Sequence, residues 1–327
     1  MNEKAMTVFE QYPMEAKKIF KLRGNYGCMT ENDKWLLQEY DYSEEKMETL
    51  YRVQEYLEGC GILTEKLVRN EDGRFVSVGE DGFGYILKKF FDVEECNMKN
   101  PQQLLEMVKL LGKFHNACRS MKNVLGDDVR IYREKNRLES FQKHNRELIN
   151  IRNYINKRKN KNFFEQYLQK IIQPNYLQAS QSIEALKKSA YETVYREACE
   201  RKQVCHGNFN HHTAAFYQGK VILVQMTRVG YGPAIHDLYD FLRKVLEKND
   251  WNRELGHQLL HCYEEIGEYN SREKEIMKAM LSYPEKFWKI VNYYYNSNKS
   301  WYSEKNEEKL RAFQNQEEKR WNFINSL

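Results

Sequence analysis

The sequence predicts an α+β protein, with a small sheet-rich N-terminal lobe followed by a larger, mainly helical one. Three observations carry that prediction. Two Asp-Gly dipeptides, Asp72-Gly73 and Asp81-Gly82, separate short apolar runs, as turns of an antiparallel meander do. Asn100-Pro101 pairs a capping residue with proline at a first helical position. From about Ile131 to Lys202 the chain then runs in long helical patterns rich in Lys, Glu, Asn and Gln.

The elements follow in order. "FKLRGNYGCMT" and "KWLLQEYD", within Phe20 to Asp41, read as strands. Ser43 is placed to cap a helix whose first turn carries Glu44 and Glu45, favourable near its positive end. Met47, Leu50, Val53 and Leu57 supply its apolar stripe, and Gly59 and Gly61 end it. The Asp-Gly meander comes next. Residues 1–92 are therefore expected to form the N-terminal lobe, joined through a short link near Phe91 to Cys96 to a helical lobe over 93–327.

In the helical lobe, Leu104, Leu105, Val108, Leu111 and Phe114 share one face. The long patterns suggest an extended helical hairpin, with breaks expected near Lys161 and at Pro174. A β-rich island over 204–233 holds a hairpin in "AAFYQGKVILV", turning at Gln218-Gly219. After Pro233 helices resume, and Asn270 with Glu273 has the spacing of a capping box.

Composition limits the function. The chain has 327 residues, 41% of them hydrophobic, enough for a real core. The formal net charge of +5 is mild and both signs are mixed, so a nucleic-acid footprint is not expected. The densest basic run, Asn156 to Asn162, reads as an exposed helix-to-helix turn. Seven scattered cysteines without a C-x-x-C pair argue for reduced thiols over a disulfide framework. The N-terminal stretch lacks the apolar core of a signal peptide, and no stretch approaches the roughly 18 apolar residues of a membrane span. The 23 tyrosines suit partly wet interfaces or a tyrosine-rich core, and the sequence favours neither.

One loop carries a chemical signature. "HGNFNHHTAAF", His206 to Phe216, resembles the phosphotransferase catalytic loop H-G-D-x-x-x-x-N. The chain also contains "YGCMTENDKWLLQEYDYSEEKMETLYRVQEYL", "YILKKFFDVEECNMKN", "LLGKFHNA" and "YGPAIHDLYDFLRKVLEKNDW". With the element order, these strings resemble the aminoglycoside and choline kinase-like superfamily, a branch of the two-lobed protein kinase-like fold. Within it they are most similar to the CotS-type spore coat proteins of endospore-forming Firmicutes. The resemblance runs from about Glu10 to Trp301, and Gly230 to Trp251 is its most specific part.

Carried over slot by slot, the resemblance implies a degenerate site. The catalytic base position holds Asn208, the final slot of the loop holds Thr213, and the second metal-binding position falls at Gln225. The phosphate-clasping lysine of the third strand falls at Gln38. His206 and Gly207 match, as does Asp237, which in such folds supports the loop and does no chemistry. Neutral amides and a hydroxyl are poor Mg²⁺ ligands, and Asn208 cannot accept a proton. The resemblance thus implies a pseudokinase without metal or cofactor, built in the mother cell and placed in the spore coat among other coat proteins.

Two further readings stay open. A working small-molecule kinase would need Asn210, His211 or Glu39 to replace the missing groups, and a nucleotide-binding switch would need binding without turnover. A zinc site from Cys205, His206, His211 and His212 is not expected, because adjacent histidines on extended chain point to opposite faces. "GNYG" at Gly24 to Gly27 reads as a hairpin turn, His115 as a partly buried structural residue, and Asp92, Glu94 and Glu95 as a solvated linker.

Overall fold

The computed structural model describes residues 3–22, 24–41, 43–126, 132–296 and 304–327. Ile131 and Trp301, which bounded two of the expectations above, lie outside these residues. The chain folds as two compact units, one of residues 1–133 with 201–231 and one of 134–200 with 232–327.

The first unit begins with α1 (Glu3–Phe9), followed by β1 (Lys18–Leu22), β2 (Asn25–Met29), β3 (Lys34–Glu39) and α2 (Glu44–Gly59). Then come β4 (Leu67–Val68), β5 (Val76–Val78), β6 (Gly84–Lys89), β7 (Glu94–Glu95), α3 (Pro101–Ala117), α4 (Lys122–Leu125) and β8 (Tyr132–Arg133). The returning segment adds β9 (Val204–Cys205), β10 (Ala214–Tyr217), β11 (Lys220–Leu223), a 3-10 turn at Met226–Arg228 and β12 (Gly230–Tyr231).

The main sheet is antiparallel, ordered β1-β2-β3-β6-β4, with β5 also on β6. The expected turns are present, with Gly73 at φ 76° and Gly82 at φ 78°, a region glycine enters without steric cost. Gly24 sits in the β1–β2 hairpin turn at φ 87°, and Asn25 to Gly27 begin β2, so "GNYG" is a hairpin turn leading into a strand. α1 was not legible in the sequence. Its Ala5, Val8 and Phe9, with Tyr12, cover Cys28, Leu37, Tyr85 and Leu87 on one sheet face.

α2 buries Met47, Leu50, Val53 and Leu57, as its spacing predicts. Ser43 is its N-cap but makes no side-chain cap bond. Glu44 instead accepts from the Phe75 and Val76 N–H groups at 2.7 and 2.8 Å, tying the helix start to β5. Gly230 is pinned between β8 and β9, and a Cβ there would lie 2.4 Å from the Tyr132 carbonyl oxygen. Gly230→Ala is therefore expected to cost about 1–3 kcal/mol, checked by the midpoint of urea unfolding.

The second unit is helical: α5 (Arg137–Lys157), α6 (Phe163–Lys188), α7 (Tyr191–Glu200), α8 (Ile235–Lys248), α9 (Arg253–Glu264), α10 (Ser271–Ser282), α11 (Glu285–Asn296), α12 (Glu304–Asn315) and α13 (Glu317–Asn325). Leu148, Ile151 and Ile155 of α5 pack with Phe164, Leu168 and Ile172 of α6, and with Phe287, Ile290 and Val291 of α11. Asn270 and Glu273 form the capping box the sequence predicts, and Asn162 with Glu165 forms another at the start of α6.

One expected break is absent: α6 runs through Pro174. Proline removes one i to i−4 bond and crowds a carbonyl. The helix nevertheless continues because Ile172, Asn175 and Ala179 are buried on its inner face, and Asn175 Nδ2 donates to the Ile171 carbonyl at 2.8 Å. The basic run Asn156 to Asn162 spans the α5–α6 turn, where Arg158 donates to the buried Glu165 at 2.8 Å. Tyr191, Tyr239, Tyr263 and Tyr283 are fully buried, so much of the tyrosine content is core. The seven cysteines are free thiols. Among the described residues no helix is long and apolar enough to cross a membrane.

Candidate functional site

The signature loop joins β9 to β10 within the first unit, and its own side chains hold it in shape. His206 is fully buried, edge-on to the rings of Phe114 at 6.3 Å and Phe209 at 5.8 Å. Gly207 follows at φ 72°. Asn208 is half-buried, and its carbonyl accepts from both Asn210 Nδ2 and the Thr213 hydroxyl at 2.7 Å. Thr213 Oγ1 also accepts from the Asn210 N–H at 3.0 Å. Asn210 Nδ2 reaches Asn208 Oδ1 at 3.2 Å, and Asn210 Oδ1 accepts from the His212 N–H at 2.9 Å. Thr213 and Asn210, both buried, thus staple the turn through its backbone groups.

The β10–β11 hairpin leads to the second expected slot. Its turn residues Gln218 and Gly219 take φ 48° and 76°, as a two-residue hairpin requires. The Val224 N–H donates to the Thr213 carbonyl at 2.8 Å, bringing Gln225 next to the loop. Gln225 itself is exposed in side chain and left-handed in backbone, at φ 55°, ψ 44°. Non-glycine residues hold that conformation only where surroundings fix it.

Glu65 does the fixing. Its carboxylate accepts from the Gln225 N–H at 2.9 Å and the Met226 N–H at 2.8 Å. Lys88 Nζ lies 2.9 Å from the same carboxylate, and the two side chains are 1% and 4% exposed. Backbone pairing delivers Glu65 to this place: Leu223 donates to the Leu63 carbonyl, and Glu65 donates to the Leu223 carbonyl, at 2.9 and 2.8 Å. A buried carboxylate with one cation and two N–H donors is well compensated.

Gln38 lies on β3 opposite Ile86, while Leu36 lies opposite Lys88. Gln38 and Lys88 therefore share a sheet face. The buried Lys88 of this face stands on β6, and Glu65 engages it. Sequence reasoning missed both residues. Asp237 is 3% exposed in the first turn of α8, within the second unit. Of the other named candidates, His115 is buried beside the Phe114 ring, and Glu39 is exposed at the end of β3.

The histidines differ from expectation. His211 and His212 sit on a turn, with ring centroids 3.8 Å apart, so they lie side by side and do not face opposite ways. Glu95 is also no free linker. It stands on β7 opposite Ala215 of β10, and its Oε1 lies 3.0 Å from His212 Nδ1.

The chain as a whole resembles known proteins. The family described as "Spore coat putative kinase YutH" matches residues 5–327. The spore coat protein S of Bacillus subtilis (strain 168) is 22% identical over 321 residues, covering 95% of this chain and 87% of that protein. Among solved structures, an aminoglycoside phosphotransferase from Alicyclobacillus acidocaldarius superposes with a TM-score of 0.85 at 17% identity, covering 98% of this chain and 94% of that one. The AMP-bound spectinomycin phosphotransferase gives 0.66 at 13% identity, covering 96% and 97%. A match across almost the whole chain, on a fold shared with aminoglycoside phosphotransferases, leads to one conclusion: the chain belongs to the spore coat YutH family of kinase-like proteins.

Proposed function

We propose that this protein is a non-catalytic pseudokinase that serves as a structural or assembly component of the endospore coat. One feature supports the reading above all: in the slots where the resemblance implies a base and anionic metal ligands, the chain has Asn208, Thr213 and Gln225. Transfer depends on positioning and on metal-borne charge neutralisation. The Thr213 hydroxyl is committed to the Asn208 carbonyl and the Asn210 N–H, so it is not offered to an ion. Asn210 is likewise committed within the loop, so it does not stand in for a missing group. Gln225 brings a neutral amide, and its backbone is tied to Glu65. These residues do not fit Mg²⁺-nucleotide, which calls for carboxylates in near-octahedral oxygen geometry. Placement in the coat is supported by the family and by the likeness to spore coat protein S.

The purified chain is expected to show no rise in melting temperature with ATP and Mg²⁺. A ligand at 100 times its Kd would add about 2.7 kcal/mol. Asn208→Asp with Gln225→Asp is not expected to restore transfer, because Gln38 still supplies no cation. Mg²⁺-dependent turnover in the range of about 1–100 per second common to kinases would overturn the reading. Stabilisation by ATP in EDTA would instead favour a nucleotide-binding pseudokinase.

A further inference from the structure

We propose that Glu95, His211 and His212 form a binding site for a divalent transition-metal ion, with Zn²⁺ the best fit. The backbone brings the three side chains together. β7 pairs with β10 so that Glu95 stands opposite Ala215, and the histidines lie on the turn that leads into β10 at Ala214. That turn is fixed by the bond from the His212 N–H to Asn210 and by the Thr213 hydroxyl.

One ligand atom from each residue lies within 4.8 Å of the other two. A tetrahedral Zn²⁺ with bonds of about 2.0–2.1 Å holds its ligand atoms ~3.3 Å apart. His212 Nδ1 and Glu95 Oε1, at 3.0 Å, already approach that spacing. Side-chain movement of roughly an ångström closes the set. Among the described residues no other group of three His, Cys, Asp or Glu meets this test.

The donors select the ion. Two imidazoles and a carboxylate suit Zn²⁺, Ni²⁺ or Cu²⁺, whereas Mg²⁺ and Ca²⁺ call for oxygen alone. The site shares no residue with Asn208, Thr213 or Gln225, so it stands whether or not the protein transfers phosphate. Three protein ligands leave a fourth position for water or for a donor from a bound molecule. That position opens to solvent, because the His212 and Glu95 side chains are 53% and 40% exposed. The His212–Glu95 contact involves one imidazole, and the side-by-side packing of His211 brings a second within reach of the same carboxylate.

The test is calorimetric titration of the full chain, stripped with EDTA and dialysed, with ZnCl₂ and separately with MgCl₂. One Zn²⁺ per chain and no saturable Mg²⁺ heat are expected. Co²⁺ should give the intense visible absorption of a four-coordinate ion. Glu95→Gln, His211→Ala and His212→Ala should each weaken Zn²⁺ binding by more than the ~10–100-fold typical of losing an outer-shell partner. Cys60→Ser, which removes an exposed thiol, should leave it unchanged. Melting curves without metal will show that each variant is folded, and Glu95→Gln preserves shape while removing charge. The proposal is overturned by absent saturable binding, by full binding in Glu95→Gln and His212→Ala, or by loss of binding in Cys60→Ser.

Discussion

Glu65→Ala is expected to destabilise the sheet-bearing unit by about 3–5 kcal/mol, because it strands Lys88 as a buried, unpaired cation. It also leaves the Gln225 and Met226 N–H groups without their acceptor. Lys88→Met should cost less, about 1–3 kcal/mol, since Glu65 keeps both N–H donors. The double variant Glu65→Leu/Lys88→Met should be more stable than Glu65→Ala, as buried ion pairs often exchange for apolar pairs with little loss. Urea unfolding of the unmodified protein, Glu65→Leu, Lys88→Met and the double variant, as a double-mutant cycle, measures the coupling. Additive effects would mean that the two side chains do not act as a pair. Loss of the Glu65 carboxylate should also free Gln225 from its left-handed backbone, visible as faster amide exchange from Val224 to Arg228.

A second large effect lies in the helical unit. Glu285 is 4% exposed at the start of α11 and accepts from the Tyr239 hydroxyl at 2.7 Å. Lys289 Nζ lies 2.6 Å from it, and Arg243 Nε 3.7 Å. Burial opposes its charge, yet Arg243 above all, then Lys289 and Arg137, hold its carboxyl well below the usual range. Glu285→Gln keeps an acceptor for Tyr239 but leaves Arg243 with less countercharge, and should cost about 3 kcal/mol.

Acid should act on this unit in two steps. His144, stacked on Trp288 at 3.3 Å, is lowered by burial from 6.5 to about 4. His236, bonded to the Tyr191 hydroxyl at 3.1 Å, is also pushed well down by burial and by Arg137. Between its ordinary and folded values each histidine binds a proton only when unfolded, so stability rises with pH there. The histidine contribution is complete above pH 6.5 and declines towards pH 4 as His144 titrates. Glu285, whose folded value is depressed, contributes fully above its ordinary value of 4.5 and fails only at more acid pH. Urea midpoints at several pH values test this. His144→Phe, which keeps the stack, should flatten the slope between pH 6.5 and 4, and an unchanged slope would count against the assignment.

Caps, glycine turns and helix stripes were readable because their causes are local. The Asp-Gly turns, the Asn100 cap, the α2 stripe and the Asn270–Glu273 box each depend on residues within a few positions of one another. Pro174 misled because burial of the α6 inner face outweighs one missing bond. The likeness of His206 to Phe216 located the loop, but its internal bonds were hidden: nothing in the string says that Thr213 turns inward. Glu65 and Gln225 are 160 positions apart, and no pattern in either segment announces the other. Glu95 failed for the same reason, and His211 and His212 for a local one. Treating the histidines as extended chain missed the turn set by Asn210, and treating Glu95 as linker missed its ladder with β10.

The span from Glu65 to its acceptor bonds also bears on how the nascent protein matures. When the ribosome has made β6, Glu65 already has Lys88, but the amides that complete its shell emerge only after the whole helical insertion has been translated. The sheet-bearing unit must therefore wait, incompletely closed, for its own last strands. Chains released before Met226 should be cut by protease within the sheet-bearing unit, whereas those ending just beyond Tyr231 should resist there and be cut only in α5–α7, which still lack their partners from 232–327.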